Sequence, residues 1–234
     1  MKMKQTFLFA VLVILATAVQ AQTVDEIINK HIEAIGGKEK LSQVKSVYTE
    51  NSVEVMGNLA PVTEYMLEGK GYKNETDFNG SKIIQCVTDK SGWLINPMAG
   101  ATDAQPMPEE LYKAAKDQIY IGGALKDYAA KGYKVELAGN ENGTHKIKVT
   151  NGSNESTYFI DSSTFYLTKT VVKGEMMGQP VDVTTTYSDY KKTDFGIVLS
   201  YAKTIDLGAF SLSSKVNKVE VNKEIDPKTF EMPK

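Results

Sequence analysis

The chain has 234 residues, with 27 basic and 29 acidic side chains, a formal net charge of −2 and no arginine. A nucleic-acid-binding surface needs a concentrated basic patch, so this charge balance argues against a nucleic-acid partner. Without arginine, planar bidentate recognition of phosphate or carboxylate is absent. The single cysteine, Cys86, excludes an intramolecular disulfide, so the fold has to be held by its apolar core.

The first 21 residues have the pattern of a signal peptide. Lys2 and Lys4 precede an apolar run at 7–18, and Val19-Gln20-Ala21 then provides a cleavage site. The run is too short and too early for a membrane anchor. We therefore expect export to the periplasm, and a mature chain, 22–234, that forms one monomeric domain.

One amphipathic helix is predicted at the start of the mature chain. Thr23 and Glu26 have the spacing of a capping box, and Gly36-Gly37 provides a stop signal. Between them the apolar residues fall on one helical stripe, which has to pack against another element. These residues are Val24, Ile27, Ile28, Ile32 and Ile35.

From Lys45 onward the apolar residues alternate with a period of two, which predicts strands joined by short turns such as Asn79-Gly80. This pattern favours a single antiparallel meander. In the last strand the apolar phase slips, which predicts a β-bulge near Asn217 and a bend in the sheet. The predicted strands lie near 45–56, 61–69, 71–78, 81–88, 91–96, 133–138, 144–150, 156–161, 165–173, 180–190, 196–206 and 209–222.

The segment 97–131 is predicted as a non-β insertion in this meander. A helix is expected from about Pro108, with Leu111, Tyr112, Ala115 and Ile119 on its apolar stripe. An insertion of this size usually has a functional reason. We expect it to form a lid over the open face of the curved sheet.

The residue types that carry catalysis or bind metals do not cluster. The only histidines, His31 and His145, fall among apolar residues, and each is interpreted as a partly buried structural side chain. Cys86 falls within a predicted strand, where cysteine acts as a small apolar residue. We therefore predict no catalytic residue, no metal site and no cofactor. A hydrolase that uses Cys86 or His145 is the least favoured alternative.

Apolar residues without an obvious structural role predict a ligand cavity. The strand near 61–69 is apolar on both faces, and the predicted hairpin tip 174–180 carries Met176 and Met177 side by side. A ligand is one way to cover the remaining surface, and the tip is an alternative docking site for another envelope protein. The residues expected to line the concave face are Val47, Val53, Val55, Tyr65, Leu67, Trp93, Ile147 and Val149, with Leu111 and Ile119 in the lid and Met176 and Met177 at the mouth.

Several segments resemble the exported Bacteroidota proteins classed as LolA-like or outer-membrane lipoprotein-sorting. They are the run 31–41 with 44–47, the pair 137–139 and 146–150, the strand 158–161, the late hairpin 187–191 with 194–199, and Phe230-Glu231-Met232-Pro233. The resemblance spans nearly the whole mature chain. It implies a strongly curved antiparallel half-barrel with helices as a plug or lid.

In that family such a fold shelters lipoprotein acyl chains. The resemblance therefore implies a non-enzymatic periplasmic carrier or binder of lipid or lipoprotein acyl chains, with inner- or outer-membrane envelope proteins as possible partners. The best-studied carriers use an arginine near the cavity to control transfer, and this chain has no arginine. The main alternative is a non-catalytic module that docks to another envelope protein.

Overall fold

The computed structural model describes residues 22–55, 57–152, 154–176, 179–208 and 210–233, without the side chains of 55, 174–176 and 179–181. The predicted signal peptide, 1–21, therefore lies outside the described residues. Within these ranges no helix combines the length and apolar character needed to span a bilayer.

The described chain forms one curved, unclosed antiparallel sheet of thirteen strands with three short α-helices. All twelve predicted strands are present, each within a few residues of its predicted bounds. The strands are β1 Ser46–Val55, β2 Asn58–Leu67, β3 Gly71–Phe78, β4 Ser81–Thr88, β5 Gly92–Asn96, β6 Ala101–Pro106, β7 Lys134–Glu141, β8 Thr144–Asn151, β9 Asn154–Asp161, β10 Leu167–Met176, β11 Gln179–Lys192, β12 Val198–Asp206 and β13 Ser211–Val221.

The order of strands across the sheet is β6-β5-β4-β3-β2-β1-β13-β12-β11-β10-β9-β8-β7. The first and last strands of the chain therefore pair at the centre, and β6 and β7, which are consecutive in sequence, form the two edges. In the β1–β13 pair Glu50 lies opposite Lys218 while Asn51 lies opposite Val216, which leaves Asn217 as the extra residue. The predicted bulge at Asn217 is confirmed.

The helix α1, Val24–Ala34, begins as predicted. The Thr23 hydroxyl accepts a hydrogen bond from the Glu26 backbone nitrogen at 3.2 Å, and the Glu26 carboxylate accepts one from the Thr23 nitrogen at 2.9 Å. This capping box satisfies two donors at the helix start. A short helix, α2, follows at Lys38–Ser42. The apolar side of α1 packs with Leu41 into the main core, which also contains Val47, Met66, Ile147, Val149 and Ile160 from the sheet.

The segment 97–131 is only partly helical, which corrects the prediction of a fully non-β insertion. Residues Ala101–Pro106 form strand β6, which pairs with β5. Pro106 at its end is tolerated because an edge strand needs donors on one side only. Helix α3, Glu109–Ala115, then continues into a 3-10 helix at Lys116–Ile119.

The connection from α3 to β7 is anchored by Glu68 at the end of β2. Its carboxylate accepts hydrogen bonds from the Ile121 backbone nitrogen at 2.6 Å and from Lys126 Nζ at 3.2 Å. Ile121, Ala124 and Leu125 then join the main core beside α1. The segment 107–133, here called the insertion, thus packs on the same face of the sheet as α1.

Candidate functional site

Different segments of the chain pack on the two faces of the sheet. We call the face packed against α1 and the insertion the inner face, and the opposite one the outer face. Val47 lies on the inner face and is paired with Met66, so the neighbouring Tyr65 and Leu67 point to the outer face. Tyr65 is paired with Lys73, Lys73 with Cys86, and Cys86 with Trp93. Because paired residues point to the same face, Trp93 is also on the outer face. The prediction that Tyr65, Leu67 and Trp93 share one face with Val47 is therefore wrong.

The other predicted lining residues fall into three groups. Val47, Ile147 and Val149 are on the inner face but are buried under α1, and Ile119 is buried between the insertion and the sheet. Val53 is on the inner face and half-buried, whereas Leu111 of the expected lid is 44% exposed. The side chains of Val55 and Met176, and the whole of Met177, lie outside what the structure describes.

Beyond the helices, the inner face continues as a strip of aliphatic side chains. Register places them together: Val62 lies opposite Asn51, which lies opposite Val216, and Ile205 lies opposite Leu212. Val172 lies opposite Val183 on the same face. Most of these side chains are half-buried although neither α1 nor the insertion packs on them. We call this set the aliphatic strip: Val53, Val62, Ile83, Val172, Val183, Ile205, Leu212 and Val216.

A carboxylate stands on the inner face between this strip and the main core. Glu64 accepts hydrogen bonds from Tyr72 Oη at 2.7 Å, Thr49 Oγ1 at 3.0 Å and Asn74 Nδ2 at 3.4 Å. Burial alone would raise the pKa of Glu64, but the charge of Lys203 and these hydrogen bonds outweigh it and lower the pKa. The carboxylate therefore stays ionised in a largely desolvated position.

Lys203 is the cation on the same face. It lies opposite Ser214 of β13 and Tyr187 of β11, and Ser214 in turn lies opposite Val53 of the aliphatic strip. The negative charge of Glu64 raises the pKa of Lys203 against the opposing effect of burial. Among the residues that the structure describes, none accepts a hydrogen bond from Lys203 Nζ or pairs with it at salt-bridge distance.

The outer face has a separate groove of about 1010 Å³. Leu67 and Trp93 lie in its wall, beside the C-terminal Phe230 and Met232. Trp93 is almost fully buried by its packing with Phe230, and its indole nitrogen donates a hydrogen bond to the Phe230 carbonyl oxygen at 2.9 Å. The C-terminal segment thus covers Trp93 and forms one wall of this groove.

The residues considered for catalysis have structural roles. His31 is buried and its Nδ1 lies 2.8 Å from the Phe165 carbonyl oxygen; His145 is buried and its Nδ1 lies 2.6 Å from Asn140 Oδ1. The interpretation of both as buried side chains is confirmed. Burial raises the pKa of Cys86 to about 12, so its thiol is protonated and a poor nucleophile at neutral pH.

Glu64, Lys203 and most of the aliphatic strip were not identified from the sequence. A signal existed, since Glu64 is in phase with Val62 and Met66, and Lys203 is in phase with Tyr201 and Ile205. A charge on the apolar phase of a strand marks an inward-facing polar group. That the two charges share one face depends on the pairing of β1 with β13, which brings together strands far apart in sequence.

The fold matches solved structures over most of the chain. A LolA superfamily protein from Nitrosomonas europaea aligns with a TM-score of 0.59 at 12% identity, covering 90% of this chain and 98% of that one. A DUF1329 family protein from Desulfovibrio piger gives 0.57 at 13% identity, with 90% and 98% coverage. A domain from Vibrio parahaemolyticus assigned to the outer membrane lipoprotein-sorting proteins gives 0.56 at 13% identity, with 87% and 95% coverage.

By sequence alone, no family model and no curated protein matches the chain. Identities this low establish the fold and not the activity. The structural alignments nevertheless cover 90% of this chain and 98% of the first two structures. The chain has the LolA-type half-barrel fold.

Proposed function

We propose that this protein is a periplasmic, non-enzymatic carrier or binder of an apolar ligand, with lipid or lipoprotein acyl chains as the ligand class. The observation that supports the proposal most directly is the aliphatic strip. Its side chains face inward beyond the reach of α1 and the insertion, and most keep part of their surface uncovered. A fold shared with lipoprotein-sorting and LolA superfamily proteins favours the same function.

The magnitude of apolar burial suits an acyl chain. Each methylene group moved from water into an apolar groove contributes about 0.8 kcal/mol. A dozen methylene groups would therefore offset the free energy that association costs, without a strong polar contact. Export through the predicted signal peptide would place this groove between the two membranes, where such ligands need shelter.

Neighbouring valines of β10 provide a matched test. Val172 belongs to the aliphatic strip, and Val171 points to the outer face, where it lies opposite Thr157 and Thr184. In Val172→Asp a charge would meet the acyl chain, so we expect binding of a fluorescent fatty acid to weaken more than ten-fold. Val171→Asp should bind like the wild type. Native mass spectrometry after mild purification should show a bound lipid in the wild type and not in Val172→Asp.

Equal binding by both variants would contradict the use of the inner face. A wild-type protein that carries no ligand and also ignores the fluorescent fatty acid would contradict the proposal as a whole.

A docking module for another envelope protein is the second candidate. It is favoured by two large apolar residues at the end of the sheet where the β1–β2 and β12–β13 hairpins turn, since Leu59 is 74% exposed and Phe210 is 40% exposed. Strand β10 ends and strand β11 begins at this same end. If Leu59→Asp and Phe210→Asp abolished capture of a defined partner while fatty-acid binding stayed intact, this candidate would be preferred.

A further inference from the structure

We propose that the inner face binds a free fatty acid, whose carboxylate binds Lys203 while its chain lies along the aliphatic strip. This inference rests on the proposed function and narrows it from acyl chains in general to one chemical class. It is carried by two features of the inner face that lie side by side: an aliphatic strip whose side chains are mostly half-buried, and a lysine that has Glu64 as its electrostatic partner but no hydrogen-bond acceptor among the described residues.

The position of Lys203 next to the aliphatic strip would orient a ligand, with its head group at the lysine and its chain on the strip. Lys203 is paired with Ser214 of β13, and Ser214 is paired on its other side with Val53 of β1. Ile205 lies two residues after Lys203 along β12. Ile205 and Val53 belong to the aliphatic strip, which continues to Leu212 and Val216. A head group held by Lys203 therefore leaves its chain in contact with apolar side chains from the first carbons onward.

The state of Glu64 explains why the head group has to be an acceptor. Both carboxylate oxygens of Glu64 already accept hydrogen bonds, Oε1 from Tyr72 and Asn74 and Oε2 from Thr49. Glu64 thus has little capacity left for a hydroxyl or ammonium group of a ligand. Lys203, in contrast, offers up to three N–H donors and no acceptor, so an ionised oxygen acid complements it best.

The charge balance favours a carboxylate over a phosphate. Glu64 and Lys203 together are neutral, so a bound carboxylate leaves one net negative charge in a desolvated groove. A phosphate monoester carries between 1.5 and 2 negative charges at neutral pH, roughly, and would be repelled more strongly by Glu64. A fatty acid ester or alcohol carries no charge and would accept only a neutral hydrogen bond from Lys203, which is weaker than a hydrogen bond between charged groups.

The test compares ligands that share one chain and differ in the head group. Delipidated full-length mature protein is titrated with oleate, methyl oleate and oleoyl lysophosphatidate, each displacing a fluorescent fatty-acid probe. Because a hydrogen bond to a charged group is stronger than a neutral one, the wild type should bind oleate about ten-fold more tightly than methyl oleate. Oleoyl lysophosphatidate should bind more weakly than oleate.

Lys203→Met should bind oleate and methyl oleate alike, with the affinity that the wild type has for the ester. The matched control is Lys215→Met, since Lys215 is an exposed lysine next to Ser214 that points to the outer face. It should keep the full preference for oleate. Lys203→Met leaves the Glu64 carboxylate without its cation. The double variant Glu64→Gln/Lys203→Met removes both charges, and it should likewise lose the preference for oleate over methyl oleate.

The outcomes separate the inference from the function on which it rests. If the wild type binds the acid and the ester equally well, or if Lys203→Met retains the preference, the fatty-acid assignment is wrong while an acyl-chain binder remains. Tighter, Lys203-dependent binding of oleoyl lysophosphatidate would replace the carboxylate by a phosphate and also overturn it. If neither the fluorescent probe nor any of the three ligands binds the wild type, both the inference and the proposed function fail.

Discussion

At the scale of single residues, the polar groups on the inner side of the sheet differ in how they are paired. Glu64 accepts three hydrogen bonds from described side chains, and the hydroxyl groups of Thr170 and Tyr187 lie 3.3 Å apart on the same face. A buried polar group without a partner costs about 1–3 kcal/mol. The Oδ1 atom of Asn51 is such a group on this face. Lys203 has Glu64 as its electrostatic partner and no hydrogen-bond acceptor among the described residues, and we assign it to a ligand because it also lies beside the aliphatic strip.

The buried histidines predict how stability depends on pH. Burial lowers the pKa of His31 and that of His145 below the value of 6.5. Below about pH 6.5 the unfolded chain therefore binds protons that the folded chain does not, so the free energy of unfolding falls as the pH falls. The slope is at most about 1.4 kcal/mol per pH unit for each histidine.

Urea unfolding at pH 7.5 and pH 5.5 checks this prediction. The wild type should lose stability between these two values, and His31→Gln should lose less because one of the two histidines no longer titrates. The lowered pKa of Glu64 affects stability only below about pH 4.5, outside this window. A wild type of equal stability at both pH values, or an unchanged slope in His31→Gln, would contradict it.

At the scale of elements, the C-terminal segment is the cover of the outer face. The 3-10 helix at Pro227–Phe230 places Phe230 in contact with Ile84, Cys86 and Trp93. The contact requires glycine below it, since a Cβ atom at Gly71 would lie 2.6 Å from the Phe230 ring. This packing covers Cys86 and Trp93 on the outer face, while Leu67 stays partly buried in the wall of the outer groove.

Phe230→Ala should destabilise the protein by about 3–5 kcal/mol, because it leaves a cavity over the sheet. Trp93, the only tryptophan of the chain, would become more exposed as the segment loosens, so its emission should shift to longer wavelength. Met232→Ala is the control: Met232 is 42% exposed, and a change there should stay within about 0.5 kcal/mol. Unchanged emission in Phe230→Ala would show that the segment does not depend on this side chain.

At the scale of the whole molecule, the two edges of the open sheet, β6 and β7, are not paired with each other and are connected along the chain by the insertion. The edges β6 and β7 carry charged residues such as Asp103 and Lys134, which discourage pairing with another chain. The insertion and α1 fill one end of the inner face, and the aliphatic strip occupies the rest. The position of the insertion therefore sets how much of the inner face a ligand could reach.

Glu68 holds that insertion in place, and its removal should loosen this segment alone. In Glu68→Ala the Ile121 amide and Lys126 lose their acceptor, so amide hydrogen exchange in 116–131 should accelerate ten-fold or more. Strand β1 should exchange as in the wild type. Glu50→Ala, which removes an exposed pairing with Lys218 at 3.5 Å, should change neither region. Acceleration spread evenly over the sheet would contradict a local anchoring role.

The sequence by itself determined the local structure. Helix α1 with its capping box, the twelve predicted strands and the bulge at Asn217 all follow from short-range patterns, because backbone periodicity, caps and turns depend on neighbouring residues. Strand β6 was missed because Ala101–Pro106 has weak strand propensity and pairs on one side only.

Only the tertiary structure decided which face of the sheet is the inside. In β2 both phases are apolar, Val62 with Met66 and Tyr65 with Leu67, and alternation shows that two faces differ without showing which one α1 will cover. The answer depends on contacts between distant segments: α1 against Val47, Phe230 against Trp93, and β1 against β13. The meeting of Glu64 and Lys203 on one face has the same origin, because no local pattern specifies pairing between the two ends of a chain.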